Sequence, residues 1–204
     1  MGEYVDMLFI RHGLTEPNKL RQYIGWSNPS LSSEGIALLK ASNMVPDLVV
    51  GSDLYRTQET GAILFPQQPY VALRNWRELS FGDWEECTYE QLKNDSAYRK
   101  WIDAPFEEQP PNGEDFEAFS SRIWKAWDQT VDLMLQQKAS LTAVVTHGGP
   151  LRFIASYFLE QSSFWDHSFS YGEGIRLRFN KDDIRERKPC ISYSVVRSME
   201  SENG

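Results

Sequence analysis

Two histidines, each placed after an apolar run and each followed by glycine, are the residues of this chain best suited to chemistry. His12 stands with Arg11 after Met7-Leu8-Phe9-Ile10 and precedes Gly13, and His147 follows the run Leu141 to Thr146 and precedes Gly148. The chain has three histidines in all, so this arrangement uses two of the three. In an open α/β sheet, ligands bind outside the carboxyl ends of the strands. An imidazole placed there can act as a nucleophile, and an adjacent guanidinium can neutralise an anion. The pairing therefore predicts nucleophilic chemistry on an anionic centre, with a phosphoryl group the best fit.

Four segments carry these residues and their partners. In the first, Arg11-His12-Gly13-Leu14-Thr15-Glu16-Pro17-Asn18, the side chain of Asn18 could join Arg11 as a donor to phosphoryl oxygens. In Ser52-Asp53-Leu54-Tyr55-Arg56-Thr57, which follows Leu48-Val49-Val50, Arg56 falls in the first turn of a predicted helix. Backbone N–H groups and the helix dipole already favour an anion there. In Arg77-Glu78-Leu79-Ser80-Phe81-Gly82-Asp83-Trp84-Glu85, Glu78 could protonate a leaving oxygen and then take a proton from water, with Asp83 and Glu85 as rival carboxylates. At Thr146-His147-Gly148-Gly149-Pro150, His147 could donate to the same oxygens and Gly148 could let the backbone approach closely. Each segment also has a plainer reading: a structural histidine, a surface ion pair, an acidic loop and a helix cap.

Composition narrows the class. The 204 residues suffice for one domain with its own core, and 41% hydrophobic with 25% charged residues is ordinary for a globular protein. No apolar run approaches the roughly 20 residues needed to span a bilayer. The acidic start, Glu3-Tyr4-Val5-Asp6, does not read as a secretion signal. Cys87 and Cys190 have no metal or redox spacing, so the cytoplasm is the expected location. A net charge of −8 argues against a general binder of nucleic acid or of anionic membranes.

Those residues need elements to carry them. β-branched runs predict strands near Met7–Arg11, Asp47–Gly51, Tyr70–Leu73, Leu141–Thr146, Gly174–Asn180 and Ile191–Val196. Helical patterns lie between them. One is capped by Ser32 or Ser33, and one runs from Leu54 to Leu64 with Asp53 as its cap. A long one begins after Asn112-Gly113, with Asn112 and Asp115 in capping-box spacing, and carries Phe116, Phe119, Ile123, Trp127, Val131 and Met134 on one face. Another follows Pro150. Alternating strands and helices predict a mostly parallel sheet covered on both faces. The segment from Glu85 to Pro111 is irregular and is expected to form an insertion over the site, with short helices near Tyr89–Leu92 and Ala97–Trp101. Tyr23, Trp26 and Trp84 fall in loops beside the motifs and could stack on an aromatic leaving group or simply anchor those loops. Trp124 and Trp127 are expected in the core, His167 is expected to be structural or at the surface, and the tail from residue 198 is expected to fray.

Taken in order, the four segments resemble the histidine phosphatase superfamily, which includes the cofactor-dependent phosphoglycerate mutases. The resemblance runs from Leu8 to about Phe158. It implies one α/β domain over residues 1–204, a three-layer α/β/α sandwich with a mostly parallel central sheet. It implies His12 as the phosphorylated residue and Glu78 as acid and base. Phosphate contacts would come from Arg11, Asn18, Arg56 and His147, with Thr15, Tyr23 and Gly148 toward the substrate, and no metal or other cofactor would be needed. Mutases carry a longer insertion with more basic side chains, whereas Cys87 to Asn112 here is short and offers Lys93, Arg99 and Lys100 against Asp95, Asp103, Glu107 and Glu108. A phosphatase acting on a small phosphomonoester is therefore expected. Phe81-Gly82-Asp83-Trp84-Glu85, Pro111 to Ser120, Trp165-Asp166-His167 and Tyr171-Gly172 are similar to bacterial α-ribazole phosphatases of cobalamin synthesis. That likeness makes α-ribazole 5′-phosphate the expected substrate. A broad-specificity phosphatase, a mutase and an inactive phosphate-binding regulatory module are the alternatives.

Overall fold

Strand β1 (Tyr4–Arg11) sends alternate apolar side chains to opposite faces, and this alternation divides the core in two. Met7 and Phe9 enter one cluster and Leu8 and Ile10 enter the other. A computed structural model describes residues 3–159 and 163–197 of the chain. The tail expected to fray lies outside the described residues. β1 is joined by β2 (Leu48–Gly51), β3 (Tyr70–Ala72), β4 (Leu141–Thr146), β5 (Glu173–Asn180) and β6 (Ser192–Arg197) in a sheet of order β3-β2-β4-β1-β5-β6. The β3-β2, β2-β4 and β4-β1 pairs are parallel, and β5 runs antiparallel to both β1 and β6.

The helices are α1 (Glu16–Lys19), α2 (Ser33–Leu38), α3 (Tyr55–Leu64), α4 (Tyr89–Leu92), α5 (Ser96–Asp103), α6 (Phe116–Gln136) and α7 (Gly148–Phe158). On one face, Phe119, Ile123, Trp127 and Val131 of α6 and Leu151, Ile154 and Phe158 of α7 pack against Phe9, Val50 and Val144. On the other, Leu64 of α3 with Leu31, Leu39 and Phe65 packs on Leu8, Val49 and Val145. The result is the three-layer α/β/α sandwich with a mostly parallel sheet.

Two expected caps are different in the structure. Asp53 does not cap α3, because its carboxylate takes both ends of the Arg77 guanidinium at 2.6 and 2.7 Å. The charge-assisted pair outcompetes a backbone N–H for that carboxylate. The first N–H of α3, at Tyr55, is taken instead by Asn28 Oδ1 at 2.7 Å. At α6, Asp115 alone is the cap, accepting from the Ala118 N–H at 2.7 Å, while Asn112 sits three residues earlier with φ of 55° and donates to Asp83. The left-handed conformation suits asparagine, which tolerates it better than most residues. Ser32 caps α2 as expected.

The register of the sheet places the site. Arg11 pairs with Thr146 and Gly51 pairs with Val145, so Ser52, His147 and His12 emerge side by side from β2, β4 and β1. His12 N–H continues the ladder by donating to Thr146 O at 2.9 Å.

Trp127 is the keystone of the α6 face. It has no exposure, lies parallel to Phe9 at 6.1 Å and stacks on Phe158 at 4.8 Å. Trp127→Ala should lower unfolding free energy by about 3–5 kcal/mol in urea titration, since the cavity cannot close against a strand on one side and a helix on the other.

Candidate active site

His12 is buried, and its Nδ1 lies 2.7 Å from Gly13 O. A carbonyl can only accept, so Nδ1 carries the proton and Nε2 keeps the lone pair. Burial, then the charges of Arg56 and Arg11, hold its pKa well below the usual histidine value. The imidazole is thus neutral at neutral pH, with one nitrogen committed and the other able to attack.

His147 faces it, with ring centroids 5.1 Å apart. It is fully buried and sits just before α7 without capping the helix. Arg56 Nε donates to its Nδ1 at 3.2 Å, and its Nε2 is 2.8 Å from Ser52 Oγ. A guanidinium only donates, so neutral His147 must carry its proton on Nε2 and give it to Ser52. Ser52 in turn meets Thr57 Oγ1 at 2.8 Å, which donates to Leu54 O at 2.7 Å. Both ring nitrogens of His147 are therefore engaged within the protein, and the expected donor to a phosphoryl oxygen is already committed. Burial, then Arg56, His12, Arg122 and Arg11, depress its pKa far below the usual range.

Arg56 has 0% exposure. Besides His147 it donates to Ser27 O at 2.8 Å and Gly25 O at 2.7 Å, which leaves one hydrogen on each terminal nitrogen. Burial pulls it down to about 10, so it remains charged at neutral pH. The loop that receives it is held from behind by Glu85, which accepts from the N–H groups of Gly25, Trp26, Ser27 and Phe81. Asp83 is turned to Asn112. Both rivals of Glu78 are thereby spent elsewhere.

Glu78 reaches the same place from the loop after β3. One oxygen accepts from Leu79 N–H and the other from Gly149 N–H, each at 2.9 Å. That loop is pinned by Arg122 of α6, which donates to the carbonyls of Asn75, Arg77 and Glu78, and by Trp26 Nε1, which also donates to Glu78 O. Gly149, rather than Gly148, is the glycine the site needs. A Cβ at 149 would lie 2.1 Å from Glu78 Oε1, whereas one at 148 would find Arg11 and Glu78 at an ordinary 3.7 Å.

Arg11 donates through Nη1 to Phe169 O at 2.7 Å and lies 4.0 Å over the Tyr171 ring. Its buried Nε–H has no hydrogen-bond partner among the described residues. An unpaired buried donor is costly, and it sits beside His12 in the chain. Thr15 and Asn18 are occupied with each other: the Thr15 hydroxyl accepts from Asn18 N–H and donates to Asn18 Oδ1 at 2.9 Å, a capping box that opens α1. The NH2 of Asn18 stays uncommitted among the described residues, but the hydroxyl of Thr15 does not. Residues that the sequence motifs did not single out complete the site: Tyr171 and Phe169 from the far end of the chain, Arg122 from α6, and Ser52 and Gly149 inside the motifs themselves.

Beyond Glu78 and Gly149 lies a cavity of about 610 Å³. Tyr23 lines it, sharing its hydroxyl with Tyr98 at 2.5 Å. The segment expected to cover the site does supply one wall, through Trp101, Ile102 and Phe106. Trp84, expected in a loop, is buried against Tyr98 and Trp101 and anchors that wall. His167, expected to be structural or at the surface, is half-buried and accepts Arg152 Nε on its carbonyl at 3.0 Å.

The family model of the histidine phosphatase superfamily, branch 1, matches residues 7–189. The chain belongs to that superfamily. Its relatives include the adenosylcobalamin/alpha-ribazole phosphatase of Escherichia coli, 31% identical over 205 residues that cover 95% of this chain and 97% of the relative. A 2,3-bisphosphoglycerate-dependent phosphoglycerate mutase of Methylorubrum populi is 26% identical over 93% of this chain and 96% of its own. Among solved structures, a putative alpha-ribazole-5′-P phosphatase from Escherichia coli superposes with a TM-score of 0.79 at 27% identity, covering 95% and 96% of the two chains. This member is an enzyme of the phosphatase class with the phosphoglycerate mutase-like fold. Among its described residues no helix is long and apolar enough to cross a membrane.

The two depressed imidazoles predict how stability depends on pH. Below about pH 6.5 the unfolded chain binds protons that native His12 and His147 refuse, so stability falls on acidification. Unfolding free energy should drop by about 1 kcal/mol between pH 6.5 and 5.5 for each histidine kept neutral, the slope steepening toward about 1.4 kcal/mol per pH unit below that. His12→Asn should remove one histidine's share of that slope, and a slope equal to the parent's would contradict the burial of a neutral ring.

Proposed function

We propose that this enzyme hydrolyses small phosphomonoesters through a phosphohistidine on His12. The observation that carries the proposal is the lock of His12 Nδ1 on Gly13 O, which leaves Nε2 as the nucleophilic nitrogen. In the first step the Nε2 lone pair attacks phosphorus in line and the P–O bond to the leaving group breaks. Glu78, protonated at this stage, gives its proton to the departing oxygen. In the second, Glu78 takes a proton from water, the resulting hydroxide attacks phosphorus, and the P–N bond breaks to release phosphate. The proton stays on Nδ1 throughout, donated to Gly13 O.

Charge on the equatorial oxygens would be met by the unpartnered Nε–H of Arg11, the remaining hydrogens of Arg56 and the NH2 of Asn18. Donors fixed before the substrate arrives need no reorganisation during reaction. In this reading His147 is a neutral acceptor that aims Arg56, because its two nitrogens are spoken for. Glycine at 149 lets Glu78 lie against the start of α7.

α-Ribazole 5′-phosphate is the proposed substrate. The Escherichia coli relative and the superposed structure support it, as does a cavity whose rings could stack on a benzimidazole. A cofactor-dependent mutase is the second reading, favoured by the 26% identical Methylorubrum relative. A bisphosphorylated sugar acid carries several negative charges, and Arg152 is the one basic side chain among the described residues around the cavity, so the phosphatase is preferred. Composition and cysteine spacing support the cytoplasm as the place of action, with neither nucleic acid nor membrane as a partner.

Incubation with a phosphomonoester should give an acid-labile, base-stable phosphoenzyme that His12→Asn abolishes; full turnover by that variant would refute the mechanism. Glu78→Gln should reduce kcat on alkyl phosphates by about 10²–10⁴-fold. Gly149→Ala, by displacing the same carboxyl group, should cost on the order of 10²-fold with little change in phosphate affinity. Flux from 3-phosphoglycerate to 2-phosphoglycerate far above phosphate release, in a coupled assay with bisphosphoglycerate, would favour the mutase instead.

A further inference from the structure

The cavity next to Glu78 has a composition that its catalytic neighbours do not require. Eight of the fifteen described residues around it are aromatic. They come as two groups. Tyr23, Phe81 and Trp101 contact one another at 5.0 to 6.0 Å on one side. On the other, Phe106 meets Phe116 at 4.6 Å, Phe164 at 5.9 Å and Trp165 at 6.0 Å, and Phe116 meets Phe119 at 5.8 Å. Phe106 and Trp165 remain 44% and 54% exposed. Large apolar side chains left open around a concave site mark a place where a ligand completes the packing.

Charge around the cavity is sparse and leans negative. Among the described residues, Glu78, Asp103 and Arg152 are its acidic and basic side chains. Arg152 already donates Nε to His167 O at 3.0 Å, and its guanidinium lies 5.8 Å from the Trp165 ring centre. Arg99 and Lys100, the basic residues of α5, are not among the lining residues. Lys93 is held by Glu90. A group entering with a second negative charge would lose water, meet the Asp103 carboxylate and find one partly committed guanidinium. A flat neutral group would lose less and gain ring contacts.

We infer that this cavity is a leaving-group site for flat, uncharged aromatic groups, and that Asp103 is the residue that turns away groups carrying a second negative charge. The assignment rests on the reading of His12 and Glu78 as the reacting pair, since it takes the group beyond Glu78 to be the one that departs. It goes further than any single substrate, because it assigns the selection to one carboxylate and to rings drawn from distant parts of the chain.

The test uses the full chain and three phosphonates that cannot turn over: propylphosphonate, 3-phenylpropylphosphonate and 3-(4-carboxyphenyl)propylphosphonate, titrated by calorimetry. The phenyl compound should bind about tenfold tighter than the propyl one. The added carboxylate should cost about fivefold. Asp103→Asn should bring that second ratio to within twofold, and Phe106→Ala combined with Trp165→Ala should do the same to the first. Ratios within one variant are insensitive to the fraction of folded protein. Equal affinity for the phenyl and propyl compounds, tighter binding of the carboxylated one, or a charge ratio unmoved by Asp103→Asn would each overturn the inference. Turnover of the matching phosphate esters separates the two readings. Phosphoenzyme formation with flat affinities removes the cavity assignment alone, and the affinity pattern without any phosphoenzyme removes the phosphatase reading alone.

Discussion

A guanidinium with no access to solvent lies at the centre of this site, and the surrounding structure answers to its needs. A buried charge costs several kcal/mol unless its donors are met. Arg56 is therefore held by three acceptors from two parts of the chain, the carbonyls of Gly25 and Ser27 in one loop and the Nδ1 of His147. Each acceptor must in turn be fixed. Glu85 gathers the N–H groups of residues 25 to 27, so the loop can present its carbonyls inward. Ser52 and Thr57 take the other proton of His147 and fix its tautomer. Burial, and after it the charge that remains, lowers the pKa of both histidines and keeps His12 neutral. Positioning and much of the electrostatics thus follow from one buried cation.

Register supplies the rest of the positioning. The parallel pairing of β1, β4 and β2 brings His12, His147 and Ser52 to the same edge, with the histidine rings 5.1 Å apart. Glu78 has no strand of its own to fix it and is braced from three directions: by Arg122 and Trp26 on its carbonyl and by Gly149 against its carboxyl group. The Asp53–Arg77 pair joins this loop to the entry of α3. That contact explains why a residue suited to capping a helix is used otherwise.

Much of this was legible in the amino-acid sequence, and the reason is physical. Strands buried on both faces read as apolar runs, so the ends of β1, β2 and β4, and the motifs attached to them, could be placed by inspection. The four motifs together pointed to the family because their order along the chain is not a matter of local propensity. What stayed hidden depends on contacts between distant residues. No local pattern says that Asn28 would cap α3, that Glu85 would serve a loop sixty residues earlier, or that His147 would have both nitrogens occupied. The requirement for glycine at 149 rather than 148 comes from where Glu78 lies, and the aromatic cavity joins residue 23 to residue 165. Tyr171 and Phe169, which flank Arg11, come from a segment whose Tyr171-Gly172 pair signalled only a likeness to the α-ribazole phosphatases and did not point to Arg11.

The central claim is that Gly13 O holds the proton on Nδ1 of His12 and leaves Nε2 to form the covalent bond. Phosphorus NMR of the trapped phosphoenzyme, with both phosphohistidine isomers as standards, tests it directly. The account predicts phosphate on Nε2 of His12 alone. Phosphate on Nδ1, or on His147, would contradict it.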